Sequence, residues 1–560
     1  MNAEPHPAPG HPSPLRRTRL LLALERPDII VVVIYGVALG LLSLAVPIAV
    51  QSLVNTVAFG SLIQPLVVLA VLLAVALTGA AILRALQVRI AEMLQRRLFV
   101  RLVTEIGGRL PRARAQALEA ANGPELLNRF FDVFTTQKSV ASLLLGGVDA
   151  LLIAIVGMVV LAFYHPALLA FDIVLIIGAV IVLIPLGRGG TRTSVAESQS
   201  KYAVAGWLEE IARHPLSFKL AGAERFAQQR VEALAKNYLD KRDSHFRIVF
   251  RQLVGALTIE VVASVALLAM GGFLVIEREL SIGQLVAAEL IVTAVVASIA
   301  KLGGKVEIFY DLVAAVDELG EILDLPMERE DGDDPPPDAE SRGLLELRSL
   351  PLDLGDDGEP VTLSMRVRPG ERIAVHGARE RVTSQIADTV FGLCAPRSGV
   401  VEVDGHDVRD LSLKELRARV AIVRHTEVLP CTIAENLHAG NAELPAEEAW
   451  AVLRRVGLEA DIKKLPDGLR TVVAMGGAPL TRAQAIGMTI ARALAVGPSV
   501  LVLDRTLDQL DPVERARVVD CLFASRDISF VLITEDPAVH RKSDSEIDLS
   551  RSSTSHGEAA

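Results

Sequence analysis

An acidic residue at the end of an apolar run is the first candidate for chemistry in this chain. Residues 500–503 are Val-Leu-Val-Leu, a pattern typical of a strand buried on both faces in a parallel sheet. Asp504 ends the run and offers oxygen ligands to a cation, and Arg505 follows it directly. A guanidinium has no acceptor atom and keeps its proton, so Arg505 cannot activate a water beside that acid. Asp504 and Arg505 therefore retain a possible metal ligand of a hydrolytic site but lack a base that could activate water.

A short strand that ends in a glycine is the second candidate. Residues 370–377 are Gly-Glu-Arg-Ile-Ala-Val-His-Gly, which resembles the strand that enters a phosphate-binding loop. From residue 377 to residue 399 the pattern is similar to that of ATP-binding-cassette (ABC) ATPases without a gap, so each loop position can be assigned. The strand that ends in Asp504 then resembles the Walker B strand of this family, where the next residue is a glutamate.

The loop departs from the family pattern where it would contact phosphate. A working loop uses glycines, whose backbone N–H groups close on the phosphates, and a lysine that reaches the terminal phosphates. Here Glu380 and Val382 replace two glycines, and Thr383 replaces the lysine. The carboxylate opposes an anion, and a β-branched residue resists a positive φ. Of the contact residues, Ser384 is retained at the position of the magnesium-binding hydroxyl.

Other nucleotide motifs of the family are altered in the same way. Residues 480–484 are Leu-Thr-Arg-Ala-Gln where the family has its LSGGQ signature, so Arg482 and Ala483 replace two glycines. His425 stands at the Q-loop glutamine, and Glu535 stands at the switch histidine. Leu354 is expected at the aromatic residue that stacks on adenine. The resemblance therefore implies that this chain alone does not hydrolyse ATP at an ordinary rate.

The resemblance implies a vestigial nucleotide site. ATP and magnesium are accordingly expected on a partner more than on this chain. The catalytic positions are all degenerate, because their residues differ from those of the family: Thr383, His425, Arg505 and Glu535. The positions assigned to nucleotide binding are Gly377, Ser384, Gln385, Asp504, Thr481, Arg482 and Gln484. Ser384 and Asp504 are also assigned to magnesium.

Composition indicates that the first half of the chain spans a membrane. The 560 residues are 51% hydrophobic, with a mean hydropathy of +0.40. A membrane-spanning helix needs about 20 apolar residues. The fold predicted from these segments and from the family resemblance is an all-α, six-helix exporter-type membrane domain followed by an α/β cassette domain of the P-loop NTPase type. The six candidate spans are residues 29–50, 65–83, 140–163, 167–186, 253–276 and 282–300.

The distribution of arginine predicts the orientation of the spans. Arginines 16, 17, 19 and 26 precede the first span, and basic segments follow the second and fourth. The loops on the other side are short and nearly uncharged. The positive-inside rule then places both termini and the cassette in the cytoplasm, which for this family indicates the plasma (inner) membrane of a bacterium. Much of the net charge of −10 lies in the second half, where no basic groove for nucleic acid is expected.

Composition shifts along the chain suggest its domain boundaries. Several aspartates and three consecutive prolines between residues 328 and 342 predict an acidic linker. Helical periodicity over 84–109 and 194–213 predicts that the second and fourth spans continue into long cytoplasmic helices. The predicted divisions are a cytoplasmic tail (1–26), the membrane domain (27–325), the linker (326–343), the cassette (344–549) and a disordered tail (550–560).

Four acidic residues lie within the apolar segments. A charge at the bilayer centre costs about 3 kcal/mol on the translocon scale, so each should face protein or water. For Asp149 and Asp172 we favour hydrogen bonds between helices or a position near the interface. Glu260 and Glu289 lie on the two spans that line the cavity in this family, and for them a translocation path and a structural role both remain open.

The partner decides the function, because cassettes of this family hydrolyse ATP as head-to-tail dimers. One hypothesis is an exporter subunit paired with an intact ATPase half-transporter, to which it presents Thr481 and Arg482. The alternative is a homodimeric membrane scaffold or conduit that uses the cassette for dimerisation without an ATP cycle. A third is a regulatory nucleotide held by Ser384, Gln385 and Asp504. Phrases around the first and sixth spans resemble half-transporters of the peptide and protein export group, which often work with a periplasmic adaptor.

Overall fold

The chain divides into two compact units, Met1–Met327 and Glu328–Ala560. The computed structural model describes residues 13–59, 63–121, 123–336, 340–352 and 361–550. The predicted tails before residue 13 and after residue 550, part of the predicted linker and Leu354 lie outside these ranges.

The first unit is all helical, as predicted. Over the described residues, six helical segments are long and apolar enough to cross a membrane. They contain the predicted spans except at the end of the fourth, which was predicted to reach residue 186 and ends at Leu183. The first of them is built from two consecutive helices that meet at Leu44. The helices are α1 (Pro14–Leu24), α2 (Arg26–Ser43), α3 (Ala45–Phe59), α4 (Ile63–Arg109), α5 (Ala115–Ala120), α6 (Gly123–Leu127), α7 (Asp132–Ser142), α8 (Asp149–Tyr164), α9 (Pro166–Leu183), α10 (Gly190–Arg213), α11 (Ala223–Ile276) and α12 (Ile282–Leu323).

The extensions of the second and fourth spans differ. Helix α4 runs for 47 residues without a break, so the second span continues into the basic segment as predicted. The prediction is wrong for the fourth span, because α9 ends at Leu183 and a new helix, α10, begins at Gly190. Pro185 and Gly189, whose φ is +87°, lie in the intervening turn. Proline lacks the N–H that a continuing helix needs, and a left-handed residue ends a helix.

Small residues allow the helices of the first unit to pack closely. At Gly157 on α8, a Cβ atom would lie 2.5 Å from Cγ2 of Val295 on α12. Val295 is fully buried, together with apolar residues of α8, α9 and α11. This close approach explains why small side chains recur at the helix contacts.

The second unit is α/β, as predicted for a cassette. The strands are β1 (Leu345–Leu352), β2 (Val361–Val367), β3 (Arg372–His376), β4 (Val400–Val403), β5 (His406–Asp407), β6 (Val420–Val423), β7 (Val500–Asp504), β8 (Ser529–Ile533) and β9 (Ser545–Asp548). Over the described residues, one sheet is parallel with strand order β6-β7-β8-β3-β9, and the other is antiparallel with order β2-β1-β4-β5. The helices are α13 (Glu380–Val390), α14 (Leu413–Arg419), α15 (Ile433–His438), α16 (Ala446–Arg455), α17 (Glu459–Lys463), α18 (Arg482–Ala495), α19 (Pro512–Leu522) and α20 (Pro537–Lys542).

The start of the second unit is bonded to its own body. Glu328 accepts two hydrogen bonds of 2.6 Å from the guanidinium of Arg417. Arg329 donates to the carbonyls of Val408 and Leu411. The predicted linker is therefore anchored to the cassette from its third residue onward over the part that the structure describes.

The parallel sheet creates the candidate site. Every residue of β7 is buried, which agrees with its uninterrupted apolar sequence. Because the strands are parallel, their carboxyl ends meet at one edge, where α/β proteins commonly bind ligands. Residues that end or directly follow these strands include Arg424, Asp504, Thr534 and Gly377.

Candidate functional site

Asp504 is the centre of the contacts at this edge. The residue is 1% exposed, and its Oδ2 accepts a hydrogen bond of 2.8 Å from the hydroxyl of Ser384. The same Oδ2 accepts a second bond of 2.6 Å from Nε of Arg424. The structure thus brings together the two residues predicted to bind magnesium, and it adds a guanidinium to them.

Arg424 joins three parts of the site. Besides Asp504, its Nη2 donates to the carboxylate of Asp388 at 2.6 Å and to the carbonyl of Ser384 at 3.2 Å. Burial lowers the pKa of this guanidinium, but hydrogen bonds to Asp388 and Asp504 outweigh that effect and raise the pKa above its ordinary value. Arg424 is therefore fixed as a cation between two carboxylates.

Arg424 and Asp388 were not among the predicted site residues, although the sequence carries a signal for each. Strands β6 and β7 are parallel neighbours in which Val423 is opposite Leu503, so Arg424 must follow beside Asp504. Asp388 lies four residues after Ser384 on α13, hence on the same helix face. An arginine directly after β6 and an aspartate at the end of the paired strand β7 would have predicted the contact between Arg424 and Asp504.

The loop between β3 and α13 is short because the helix begins early. Helix α13 starts at Glu380, so two positions that are glycines in the family belong to its first turn. The backbone N–H groups of Val382 and Thr383 donate to the carbonyl of Arg379, at 2.8 and 3.2 Å. Thr383, at the lysine position, is fully buried, and its hydroxyl donates to the carbonyl of Glu380. The two amides and the Thr383 hydroxyl thus already donate hydrogen bonds to carbonyls within the cassette.

Two charged side chains, those of Glu535 and Arg505, contact the backbone of the loop between β3 and α13. Glu535 accepts a hydrogen bond from the backbone N–H of Gly377 at 3.4 Å. Nη2 of Arg505 lies 3.9 Å from the Glu535 carboxylate and donates to the carbonyl of Ala378 at 3.3 Å. Arg505 has a φ of +52°, in the left-handed region that few non-glycine residues adopt. A carboxylate and a guanidinium of the chain thus contact the backbone of the loop that would receive phosphate.

The signature residues form a second group, at the beginning of α18. Thr481 caps this helix: its hydroxyl accepts from the N–H of Gln484 at 3.2 Å, and the Gln484 side chain accepts from the N–H of Thr481 at 2.9 Å. Arg482 is the first residue of the helix and its side chain is exposed, whereas Ala483 is buried. The described contacts of Thr481 and Gln484 are thus with each other rather than with the residues around Asp504.

The remaining predicted nucleotide residues lie nearer the surface. His425 is exposed directly after Arg424. Gln385 is half-buried, and its side chain donates to the carbonyl of Arg381 on the same helix.

Comparison with known proteins agrees with this architecture. A family model described as "ABC transporter" matches residues 361–507. A solved structure of a bacterial Atm1-family ABC exporter with ATP bound superimposes with a TM-score of 0.79, covering 94% of each chain, at 18% identity. The chain has the fold and domain order of an ABC half-transporter. Its exporter-type membrane domain is fused to a cassette, as the sequence predicted.

Two curated relatives of this chain are named for toxin translocation. The chain is 27% identical over 274 residues to the alpha-hemolysin translocation ATP-binding protein HlyB of Escherichia coli O157:H7. It is 26% identical over 301 residues to the leukotoxin translocation ATP-binding protein LktB of Mannheimia haemolytica. These alignments cover 48% and 53% of this chain, but only 38% and 42% of the relatives.

The four acidic residues within the apolar helical segments have different surroundings. Asp149 is buried and accepts a 2.6 Å bond from Gln87, and it forms an ion pair with Arg84. Asp172 is buried, and neither of its carboxylate oxygens has a hydrogen-bond partner among the described residues. Glu260 is half-buried on α11, and Glu289 is exposed on α12. The structure therefore gives Asp149 the contact between helices that the sequence favoured.

Proposed function

We propose that this chain is a transport subunit that moves substrate outward together with an intact ATPase half-transporter. In this proposal the membrane domain supplies part of the path. The cassette supplies the signature half of a composite site, which is Thr481, Arg482 and Gln484 at the start of α18. The partner supplies the Walker half, which is its phosphate loop and Walker B strand, and this half hydrolyses ATP.

The observation that carries the proposal is the guanidinium of Arg424 at the Walker B carboxylate. Magnesium needs oxygen ligands in octahedral geometry, and Oδ2 of Asp504 is already bonded to a guanidinium and to the Ser384 hydroxyl. Oδ1 has no hydrogen-bond partner among the described residues, but a magnesium ion beside it would meet the positive charge of Arg424. Two nearby backbone amides are bonded to Arg379, and the Glu535 carboxylate takes up the Gly377 N–H. These residues do not fit magnesium and a triphosphate, and no step of hydrolysis is assigned to them.

Contacts of the signature half favour a heterodimer over a homodimer. Thr481 and Gln484 fix the first turn of α18, and the Arg482 side chain is exposed at its beginning. A helix N-terminus and a guanidinium both attract phosphate. In a homodimer this surface would face the Walker half that Arg424 and Glu535 already contact. In a heterodimer it would face a loop able to bind ATP.

For the substrate, we propose a peptide or protein exported across a bacterial inner membrane. The relatives' names, which mention translocation of alpha-hemolysin and leukotoxin, support this substrate class. The arginine distribution supports cytoplasmic termini and a cytoplasmic cassette. A periplasmic adaptor is a further partner in this proposal.

Purification from the native membrane in a mild detergent tests the partnership. The co-purifying proteins are identified by mass spectrometry, and ATP hydrolysis is measured with and without vanadate. We expect an intact ABC half-transporter to co-purify and hydrolysis to be vanadate-sensitive. A homodimer without hydrolysis would contradict the proposal and support the ATP-independent scaffold.

Glu260 and Glu289 are proposed to line the path. Neither side chain has an ion pair or a side-chain hydrogen bond in the described part of the chain, unlike Asp149. Glu260→Gln and Glu289→Gln should therefore reduce transport while leaving assembly unchanged. Glu277→Gln, in the short loop after α11, is the matched control. Transport at the wild-type rate in both path variants would contradict this role.

A further inference from the structure

A cluster of two histidines and a glutamate lies beside the vestigial phosphate loop. Candidate ligand atoms of His376, His540 and Glu546 all lie within 4.8 Å of one another. One carboxylate oxygen of Glu546 is 3.9 Å from Nε2 of His376 and 4.0 Å from Nδ1 of His540. The two imidazole rings stack with centroids 4.2 Å apart and an interplanar angle of 17°.

The fold determines this arrangement. His376 ends β3 and Glu546 belongs to β9, its parallel neighbour. Ala374 is opposite Glu546 in the register, so His376 and Glu546 project from the same sheet face two positions apart. His540 lies on α20, which connects β8 to β9 across the intervening β3. Three separate elements thus bring their side chains to one point.

Hydrogen bonding leaves both histidines with a nitrogen directed at the glutamate. Nε2 of His540 lies 2.8 Å from the carbonyl of Thr534, so in neutral histidine this nitrogen carries the proton and Nδ1 keeps its lone pair. A carbonyl that accepts from the second ring nitrogen is the usual support of a metal-bound histidine. Nε2 of His376 is buried and has no hydrogen-bond partner among the described residues.

We propose that His376, His540 and Glu546 bind a divalent transition metal of the zinc class. Two imidazoles and a carboxylate are a ligand set that suits zinc, with water as a fourth ligand. Ligand atoms around tetrahedral zinc lie roughly 3.3 Å apart, given metal–ligand distances of about 2 Å. Metal binding would require the Glu546 side chain, which is 60% exposed, to rotate toward the rings, and the two stacked imidazoles to rotate so that both nitrogens point at the ion.

Such a metal would connect the cassette's C-terminal strand to the phosphate loop. His376 directly precedes Gly377, and the carbonyl that orients His540 belongs to the residue before Glu535. The bound ion would stabilise this edge of the sheet without any nucleotide. Metal binding at this site does not depend on the partner half-transporter proposed above.

Cobalt titration of the purified full-length chain tests the site. The chain carries an affinity tag that contains no histidine, and four-coordinate cobalt is detected by its visible absorbance. We expect one cobalt per chain, displaced by zinc. His376→Ala and His540→Ala remove direct ligands, so each should weaken binding by more than about 100-fold, the upper end of the cost of losing an outer-shell partner, and Glu546→Gln should weaken it at least about tenfold.

Controls separate ligand loss from unfolding. His438→Ala, a histidine outside the cluster, should bind cobalt as the wild type does. Glu546→Gln alters an exposed side chain, so it tests the site even if a histidine variant fails to fold. Zinc should also raise the melting temperature of the wild type but not that of His540→Ala. The proposal is overturned if the wild type shows no cobalt absorbance, or if the histidine variants bind as tightly as the wild type.

Discussion

The Walker half and the signature half of this cassette differ in where their polar groups are directed. Around Asp504, the hydroxyl, the carboxylates and the guanidiniums bond to one another and to the loop backbone. At the beginning of α18, Thr481 and Gln484 bond only locally to fix the helix turn, and Arg482 is exposed. In the Walker half most of the charged groups are paired within the chain, although Oδ1 of Asp504 is buried without a hydrogen-bond partner among the described residues. The signature half presents a cation to its surroundings.

This difference indicates how the two halves respond to the loss of a ligand. A buried carboxylate without a cation is costly, so the Walker half needs an internal positive charge once magnesium is not bound. Arg424 supplies that charge. The signature half is exposed and has no such requirement, so it can keep a surface suited to the phosphates of another chain.

The largest expected effect is that of Arg424→Ala. Removal of the guanidinium leaves Asp504 and Asp388 without their cation, and loss of one partner of a buried ion pair costs about 3–5 kcal/mol. In a Trp207→Phe background, Trp450 of the cassette is the remaining tryptophan, so its fluorescence follows cassette unfolding. We expect a large decrease in stability, partly restored by millimolar magnesium.

Arg526→Ala is the matched control, since its ion pair with Asp544 is exposed at the arginine. An exposed pair contributes about 0–1 kcal/mol. Equal effects of the two substitutions would contradict the central role of Arg424.

The next effect concerns Arg482→Ala in the complex with the hydrolysing partner. Loss of a charge-assisted hydrogen bond to phosphate costs about 1.5–3 kcal/mol, so ATP hydrolysis should fall about tenfold or more. The unfolding transition of the cassette should not change, because this side chain is exposed. Unchanged hydrolysis in a complex of normal composition would remove Arg482 from the composite site.

Thr481→Ala should have a smaller effect, on stability. The substitution removes the hydroxyl that accepts from the Gln484 N–H, and loss of such a cap costs about 1 kcal/mol. Thr481→Ser keeps the hydroxyl and should unfold at nearly the wild-type temperature. If alanine and serine have the same effect, the cap does not fix the start of α18.

Glu535→Gln should have the smallest effect. Its carboxylate lies 3.9 Å from Arg505 and is half exposed, so the pair contributes less than about 1 kcal/mol. A change in Trp450 unfolding as large as that of Arg424→Ala would show that the cassette depends on Glu535 rather than on Arg424.

Sequence patterns predicted the elements better than their contacts. Hydropathy located the six spans because each must match the bilayer thickness. The gap-free match from residue 377 to 399 indicated which loop positions had changed, and the structure places Ser384 from this segment in hydrogen-bond contact with Asp504. The continuation of the fourth span was predicted wrongly because the periodicity of α10 outweighed the breaks at Pro185 and Gly189.

The contacts that were missed are between residues distant in sequence. Arg424 and Asp504 are separated by 80 positions, and they meet because their strands are paired. His376 and His540 come together only through the crossover of α20 above β3. Periodicity reports which face of an element is buried, but it does not report which two elements are neighbours.

Counting bound nucleotides tests the central claim most directly. Equilibrium dialysis at millimolar ATP and magnesium is carried out on the purified chain alone and on the complex with its partner. The account predicts no stoichiometric ATP on the chain alone and one ATP per heterodimer, photo-crosslinked to the partner's Walker half. One ATP bound per copy of this chain, with Arg424 intact, would contradict it.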